Sequence, residues 1–148
     1  MRVYLVRHGK ARPKEEDPDR SLSDKGQAEV DRVAGFLAQT DVVRSLPILH
    51  SGKTRARQTA EGLARAFEGA RVEEVEGLAP LDDPAVWAGR LDGPAEGIVL
   101  VGHLPHLARL TSLLLTGDPD RETVRFSNAG IRYTRHWARS KRSQGCST

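Results

Sequence analysis

Three short apolar runs punctuate a largely polar chain: Val3-Tyr4-Leu5-Val6, Leu46-Pro47-Ile48-Leu49 and Ile98-Val99-Leu100-Val101. Each is shorter than a helix needs and bounded by polar or glycine-containing segments, the pattern of strands buried in a parallel sheet. Pro47 places the second run at a strand start or a sheet edge, because proline cannot donate to a ladder. Between the runs the apolar period changes. Val30, Val33, Ala34 and Leu37 follow helical spacing behind an N-cap at Ser23-Asp24. A second helix starts near Thr54 and buries Ala56, Ala60, Leu63, Ala64 and Phe67. A third carries Pro105 in its first turn, Leu107, Leu110 and Leu114 on its apolar side, and Gly117 as its C-cap. Residues 71–75 read as a weaker strand. The Gly/Pro-rich stretch 77–97 has room for one short helix, around residues 85–91. Ile131, Tyr133 and Trp137 suggest a last strand, although Arg135 interrupts the alternation. Residues 12–20 form a polar loop with two prolines.

Strands alternating with helices predict an α/β fold, a three-layer α/β/α sandwich with a mostly parallel central sheet. The 148 residues suit a single domain, read as 1–137 with a basic, flexible tail at 138–148. Nothing approaches the ~18 consecutive apolar residues of a membrane span, and the N-terminus reads as a strand rather than a leader, so a cytoplasmic address is expected. The single cysteine, Cys146, rules out an internal disulfide framework. The net charge of +3 is unevenly distributed. Arg132, Arg135, Arg139, Lys141 and Arg142 are basic with no acid among them, and without these five the balance is 18 basic against 20 acidic groups, or −2. The basicity therefore sits at the C-terminal end. A solvated terminus is the expectation there, and nucleic acid is not an expected partner.

The candidate chemistry follows the three clearest strands. Arg7-His8-Gly9 follows the first, Ser51 to Arg55 the second, and Gly102-His103 the fourth. In parallel sheets, ligands bind outside the carboxyl ends of the strands, so these three loops can meet at one sheet edge. A phosphoryl group presents spread negative charge to fixed donors, and the planar fork of arginine suits it. Arg7 and Arg55 are the candidates, the latter in the first turn of a helix where free N–H groups also favour an anion. A nucleophilic imidazole must be neutral, and neighbouring cations lower its pKa. His8 therefore fits as the nucleophile, Gly9 as a phosphate-binding position where the backbone can approach closely, and His103 as a donor to the transferred group.

These segments resemble a known family. Leu5-Val6-Arg7-His8-Gly9-Lys10-Ala11 is similar to the opening motif of the histidine phosphatase superfamily, with its phosphoglycerate mutase-like fold. Leu22-Ser23-Asp24-Lys25-Gly26 resembles the segment that opens its first helix. Ser51-Gly52-Lys53-Thr54-Arg55-Ala56-Arg57-Gln58-Thr59-Ala60 resembles its second signature, and Val101-Gly102-His103-Leu104-Pro105-His106 its late histidine motif. The short length, the Lys-Ala after the glycine and the Gly-His-Leu-Pro form point to the SixA-type phosphohistidine phosphatases. The resemblance covers roughly residues 1–130. It implies a phosphohistidine intermediate on His8, with Arg7, Arg55 and His103 around the phosphoryl group and Ser51 helping to position the second loop. It implies no cofactor and no metal. The sequence lacks zinc-ligand spacing, and the His103-x-x-His106 pair contains Pro105 and lacks a carboxylate partner.

Many relatives use a carboxylic acid toward an alcohol leaving group, and no unambiguous equivalent stands in this chain. Asp82 is the nearest candidate, beside Asp83, with loop and helix-capping roles as the plainer explanation. Imidazole, with a pKa of about 6.5, leaves more readily than an alkoxide, whose parent alcohol lies near water's ~15.7. The missing acid therefore tilts the expectation toward P–N cleavage, on a phosphohistidine-bearing protein in signal transduction. The interval of 48 residues from Arg55 to His103 leaves little chain for a cap, which points the same way. Two other functions stay open: a phosphatase for a small phosphomonoester or pyrophosphate on the same residues, and a phosphoryl-binding module without turnover.

Overall fold

The computed structural model describes residues 1–91 and 96–135. Five strands form one sheet: β1 (Arg2–Arg7), β2 (Ile48–His50), β3 (Val72–Glu74), β4 (Gly97–Gly102) and β5 (Ile131–Arg135), in the order β3-β2-β4-β1-β5. The first four are parallel to their neighbours, and β5 returns antiparallel along β1. Side-chain alternation divides the core in two. Val6, Ile48, Val99 and Val101 pack with α1 (Asp24–Leu37), α2 (Asp41–Arg44) and α3 (Thr54–Ala66). Val3, Leu5, Leu49 and Leu100 face α4 (Pro84–Arg90) and α5 (His106–Thr116). The strands read as unbroken apolar runs because successive residues enter opposite cores of this three-layer α/β/α sandwich.

The helix ends follow their local chemistry. Ser23 Oγ accepts from the Gly26 N–H at 3.0 Å, Asp83 Oδ1 accepts from the Ala85 N–H at 2.9 Å, and Gly117 closes α5 with φ at 81°. Pro47 lies just before β2, where its carbonyl accepts from the Val99 N–H. The single turn α2 has no counterpart in the sequence pattern, because four residues are too few to display a period. The basic C-terminal end also needs correction. Arg132 and Arg135 belong to β5 rather than to a tail, with Arg135 opposite Arg2 in the ladder. Arg132 stays exposed, its guanidinium 5.5 Å from the Phe126 ring centroid. Trp137 and the expected tail at 138–148 lie outside the described residues.

The ladder register gathers the motif loops. Arg7 pairs with Gly102, and His50 with Val101, so the chain leaves β1, β2 and β4 at the same edge. Helix α1 then clamps the first loop. A Cβ on Gly26 would lie 2.1 Å from the Lys10 carbonyl oxygen, and one on Gly9 would lie 2.8 Å from Val30 Cγ2. The Lys10 carbonyl also accepts from Ser23 N–H and Ser23 Oγ. The two glycines let α1 hold the backbone that immediately follows His8.

Candidate active site

Backbone bonds fix His8 and Arg7 in place. His8 N–H donates to the Gly102 carbonyl at 3.1 Å, Ala129 N–H donates to the His8 carbonyl at 3.1 Å, and Arg7 N–H donates to the Gly130 carbonyl at 3.0 Å. The His8 ring is oriented by its own loop: Nδ1 lies 2.6 Å from the Gly9 carbonyl oxygen. A carbonyl only accepts, so Nδ1 carries the proton and Nε2 keeps its lone pair. The His103 ring faces it, with centroids 5.0 Å apart and planes inclined at 50°. His103 Nε2 lies 2.6 Å from Ser51 Oγ, which links the loops after β2 and β4. All four expected residues and Ser51 are thus placed at one end of the sheet.

The electrostatics of the cluster are one-sided. Burial lowers the His8 pKa to about 4; the Gly9 hydrogen bond opposes this, and Arg55, Arg7 and Arg20 reinforce it. Burial lowers His103 to about 3, helped by the positive charges of His8, Arg55, Lys53 and His106. The charges acting most strongly on these two rings, among the described residues, are cationic. Burial and Arg20 also lower the pKa of Arg55. The Nε atoms of Arg7 and Arg55 are buried without a partner, and neither guanidinium pairs with a carboxylate among the described residues. Arg7 Nη1 donates to the Phe126 carbonyl at 3.1 Å. Two guanidiniums with unfilled donors, that of Arg7 anchored on the Phe126 carbonyl, and two neutral imidazoles make a receptor for a compact anion.

These pKa values carry a sign. Both lie below the unfolded-state value of about 6.5, so the unfolded chain binds more protons in that interval. Their contribution to stability is present above about pH 6.5 and is lost as pH falls toward about 4 for His8 and about 3 for His103. Urea midpoints should decline from pH 7 to pH 4.5, and the His8 ring carbon should titrate in NMR near pH 4. An inflection near 6.5 would contradict the burial, reinforced by cations, that keeps the rings neutral.

Several contributing residues were not apparent from the sequence. Thr59, buried on α3, accepts from the Gly9 N–H at 3.0 Å and donates to the Arg55 carbonyl at 2.8 Å. It joins the loop of His8 to the helix of Arg55. The Gly9 N–H is therefore engaged by Thr59, and the close approach at Gly9 is to α1. Thr59→Val, nearly isosteric, should leave that N–H unsatisfied and cost about 1–3 kcal/mol of stability. Chemical denaturation measures this, and an unchanged midpoint would show that the bridge is dispensable. The spacing of four from Arg55 was the available clue, since a helical threonine often bonds the carbonyl one turn back. Arg20 had none, because it arrives from the proline loop. That loop is tied at its base by the Ala11–Leu22 bridge and the Arg12 N–H to Ser21 carbonyl bond. Within it, Asp17 binds the Asp19 and Ser21 N–H groups and the Ser21 hydroxyl. Arg20 leaves this loop with φ at 51°, half-buried.

Asp82 has a structural engagement of its own: Oδ2 accepts from the Ala79 N–H at 2.9 Å, and its charge acts on His106. Asp83 caps α4. Trp87 is packed, with Nε1 donating to the Glu76 carbonyl at 2.8 Å. His50 ends β2, its Nδ1 accepting from the Gly52 N–H at 3.1 Å. Lys10 is exposed. A groove of about 930 Å³ opens between α1 and β5, lined by Val33, Phe36, Ile131 and Tyr133 among others, and contains none of the four central residues. Volume and chemistry therefore point to different places, and the unfilled donors favour the strand ends.

A parallel α/β sheet that collects arginines and neutral histidines at its strand ends defines a phosphoryl-binding type of site. The chain belongs to the histidine phosphatase superfamily (branch 1), whose family model matches residues 3–91. Arg7, His8 and Arg55 lie within the match, and the fold adds His103 from beyond it. The chain is 36% identical over 138 residues to an uncharacterized protein of Picosynechococcus, covering 88% of this chain and 82% of that one. Among solved structures it is similar to a protein described as a candidate phosphohistidine phosphatase SixA from Agrobacterium tumefaciens. That match has a TM-score of 0.70 and 28% identity, covering 89% of this chain and 88% of that one. It shares its fold with the protein histidine phosphatase SixA crystallised with tungstate, with a TM-score of 0.71, 23% identity and coverage of 91% and 95%. It also shares the fold of a mycobacterial glucosyl-3-phosphoglycerate phosphatase, with a TM-score of 0.71, 20% identity and coverage of 92% of each chain. Superfamily and neighbours together support phosphatase activity. No helix among the described residues is long and apolar enough to cross a membrane.

Proposed function

We propose that this protein hydrolyses phosphohistidine on a partner protein, by way of a phosphohistidine intermediate on His8 and without a metal. Nε2 of His8 attacks phosphorus as the P–N bond to the substrate imidazole breaks. The departing nitrogen keeps the bonding pair and takes a proton from solvent. Water then attacks the phosphorylated His8, giving inorganic phosphate and returning the ring to its neutral form. Arg7 and Arg55 bind the phosphoryl oxygens, with Arg20 adding charge at the edge. His103 Nε2 donates to an equatorial oxygen, and Ser51 holds that ring in place. The arriving anion raises the pKa of both histidines, which strengthens His103 as a donor in the loaded site.

The observation that carries this reading is that the charges acting most strongly on His8 and His103, among the described residues, are cationic. An ester needs an acid to protonate its alkoxide, and the sequence candidate, Asp82, accepts from the Ala79 N–H and acts on His106 instead. An imidazole leaving group needs far less assistance. The interval between Arg55 and His103 is taken up, among the described residues, by the rest of α3, β3, α4 and β4, which also favours a substrate displayed on a protein surface over one enclosed beneath a cap.

The test is a panel of phosphohistidine-bearing protein, phosphohistidine peptide and small phosphoesters, each assayed with and without chelator. The expected order places the phosphohistidine protein first, with chelator irrelevant. Faster turnover of a small ester, abolished by Asp82→Asn, would instead make this a small-molecule phosphatase with Asp82 as its acid. Binding of phosphate without turnover of any substrate would leave a phosphoryl-binding module.

A further inference from the structure

His106 is the first residue of α5, fully buried, and neither of its ring nitrogens has a partner. His103 is 1% exposed, and its Nδ1 also lacks one. The two rings belong to the same turn, since the Leu107 N–H donates to the His103 carbonyl at 2.9 Å. Three buried ring nitrogens on neighbouring side chains are a marked exception to the rule that buried polar atoms are hydrogen-bonded. An apolar residue at position 106 would fill the same core between α4 and α5 without that cost. The charges reaching His106 are Asp82 and Asp83, from the turn into α4, and Arg109 on its own helix. Those reaching His103 are His8, Arg55, Lys53 and His106. His106 therefore stands between an acidic turn and the inner side of the phosphoryl site. The phosphatase reading gives it no task.

We propose that His106 is a positioning residue: its N–H donates, through one enclosed water, to Nδ1 of His103 and so keeps the His103 proton on Nε2. A neutral imidazole has one donor and one acceptor, and what its inner nitrogen meets decides which tautomer faces the substrate. With Nδ1 accepting, Nε2–H points to Ser51 Oγ and, in the loaded site, to a phosphoryl oxygen. Ring nitrogens buried without a protein partner are the kind of group that one enclosed water satisfies. Asp82 and Asp83 favour the protonated face of His106, while Arg109 opposes it. Asp82 then acts on catalysis through His106, which gives the turn before α4 a functional role without placing an acid at the leaving group.

The catalytic consequence rests on the phosphatase reading; the tautomer does not. Long-range ¹H–¹⁵N spectra of ¹⁵N-labelled protein report the protonated nitrogen of His103 directly, with and without inorganic phosphate. The wild type should show a single Nε2–H tautomer. His106→Leu should give a mixture or the Nδ1–H form, with kcat down roughly tenfold and KM little changed. His106→Gln, which keeps a donor, should restore both the tautomer and most of kcat. If His106→Leu does not fold, His106→Gln and Asp82→Asn carry the test: the first should retain Nε2–H, and the second should weaken its dominance. A wild-type Nδ1–H tautomer, or an Nε2–H tautomer unchanged in folded His106→Leu, overturns the proposal. The same holds if Asp82→Asn leaves the tautomer unaltered where His106→Leu cannot be studied. An intact tautomer effect in a protein that turns over no phosphorylated substrate would retire the phosphatase reading alone.

Discussion

His8→Ala should abolish turnover, with a loss on the order of 10⁴–10⁶-fold, the scale on which removal of a covalent nucleophile acts. The variant should also fail to retain labelled phosphate after a denaturing alkaline quench following exposure to a phosphohistidine donor. The wild type should carry an acid-labile, base-stable phosphoryl group. The argument is local. His8 Nδ1 is fixed on the Gly9 carbonyl, so a single nitrogen with a free lone pair remains on the ring. The ring is neutral because burial and three arginines disfavour its protonation. His103, the other neutral imidazole, cannot take over: its Nε2 meets Ser51 and its Nδ1 is buried. Near-normal rates in His8→Ala would show that water attacks the substrate directly and that the cluster acts only as an anion receptor. Folding should survive, since the bonds that place residue 8 come from its backbone.

The sequence was informative wherever one physical requirement dominated. The strands Val3–Val6 and Ile98–Val101 were legible because a strand covered on both faces needs apolar residues at every position. The site was legible for a related reason. Parallel strands deliver their following loops to one edge, so Arg7, Arg55 and His103, separated by long stretches of chain, needed only that topology to meet. What stayed hidden depends on tertiary relations. Thr59 looks like any helical threonine until the Gly9 N–H is brought against it. Arg20 lies in a loop whose path is set by hydrogen bonds to Asp17, not by a pattern of apolar positions. Arg135 was read as interrupting the last strand and was counted with the basic C-terminal end. An antiparallel edge strand tolerates such a residue because the ladder requires only its backbone. Gly9 was read as approaching a ligand, whereas the close contact at that position is with α1.

Arg55→Ala should lower kcat/KM by roughly 10- to 150-fold, the equivalent of about 1.5–3 kcal/mol for lost hydrogen bonds to a charged group. Arg7→Ala should fall in the same range, and the two losses should not simply add, since both side chains hold one phosphoryl group. Each variant should have a second effect that adds to the first at low pH. Arg55 and Arg7 both disfavour protonation of His8, so removing either should raise the His8 pKa from its value of about 4. At mildly acidic pH the activity deficit should therefore grow, as more of the nucleophile becomes protonated, while at neutral pH it reflects lost anion binding alone. Arg55→Lys separates the two effects. It keeps the charge and hence the low His8 pKa, but a lysine lacks the planar fork that binds two oxygens at once. Its kcat/KM should fall while its pH profile stays close to wild type. An Arg55→Ala enzyme with wild-type kinetics would remove Arg55 from the phosphoryl site. A profile that moves equally in Arg55→Ala and Arg55→Lys would mean that shape, and not charge, keeps His8 neutral.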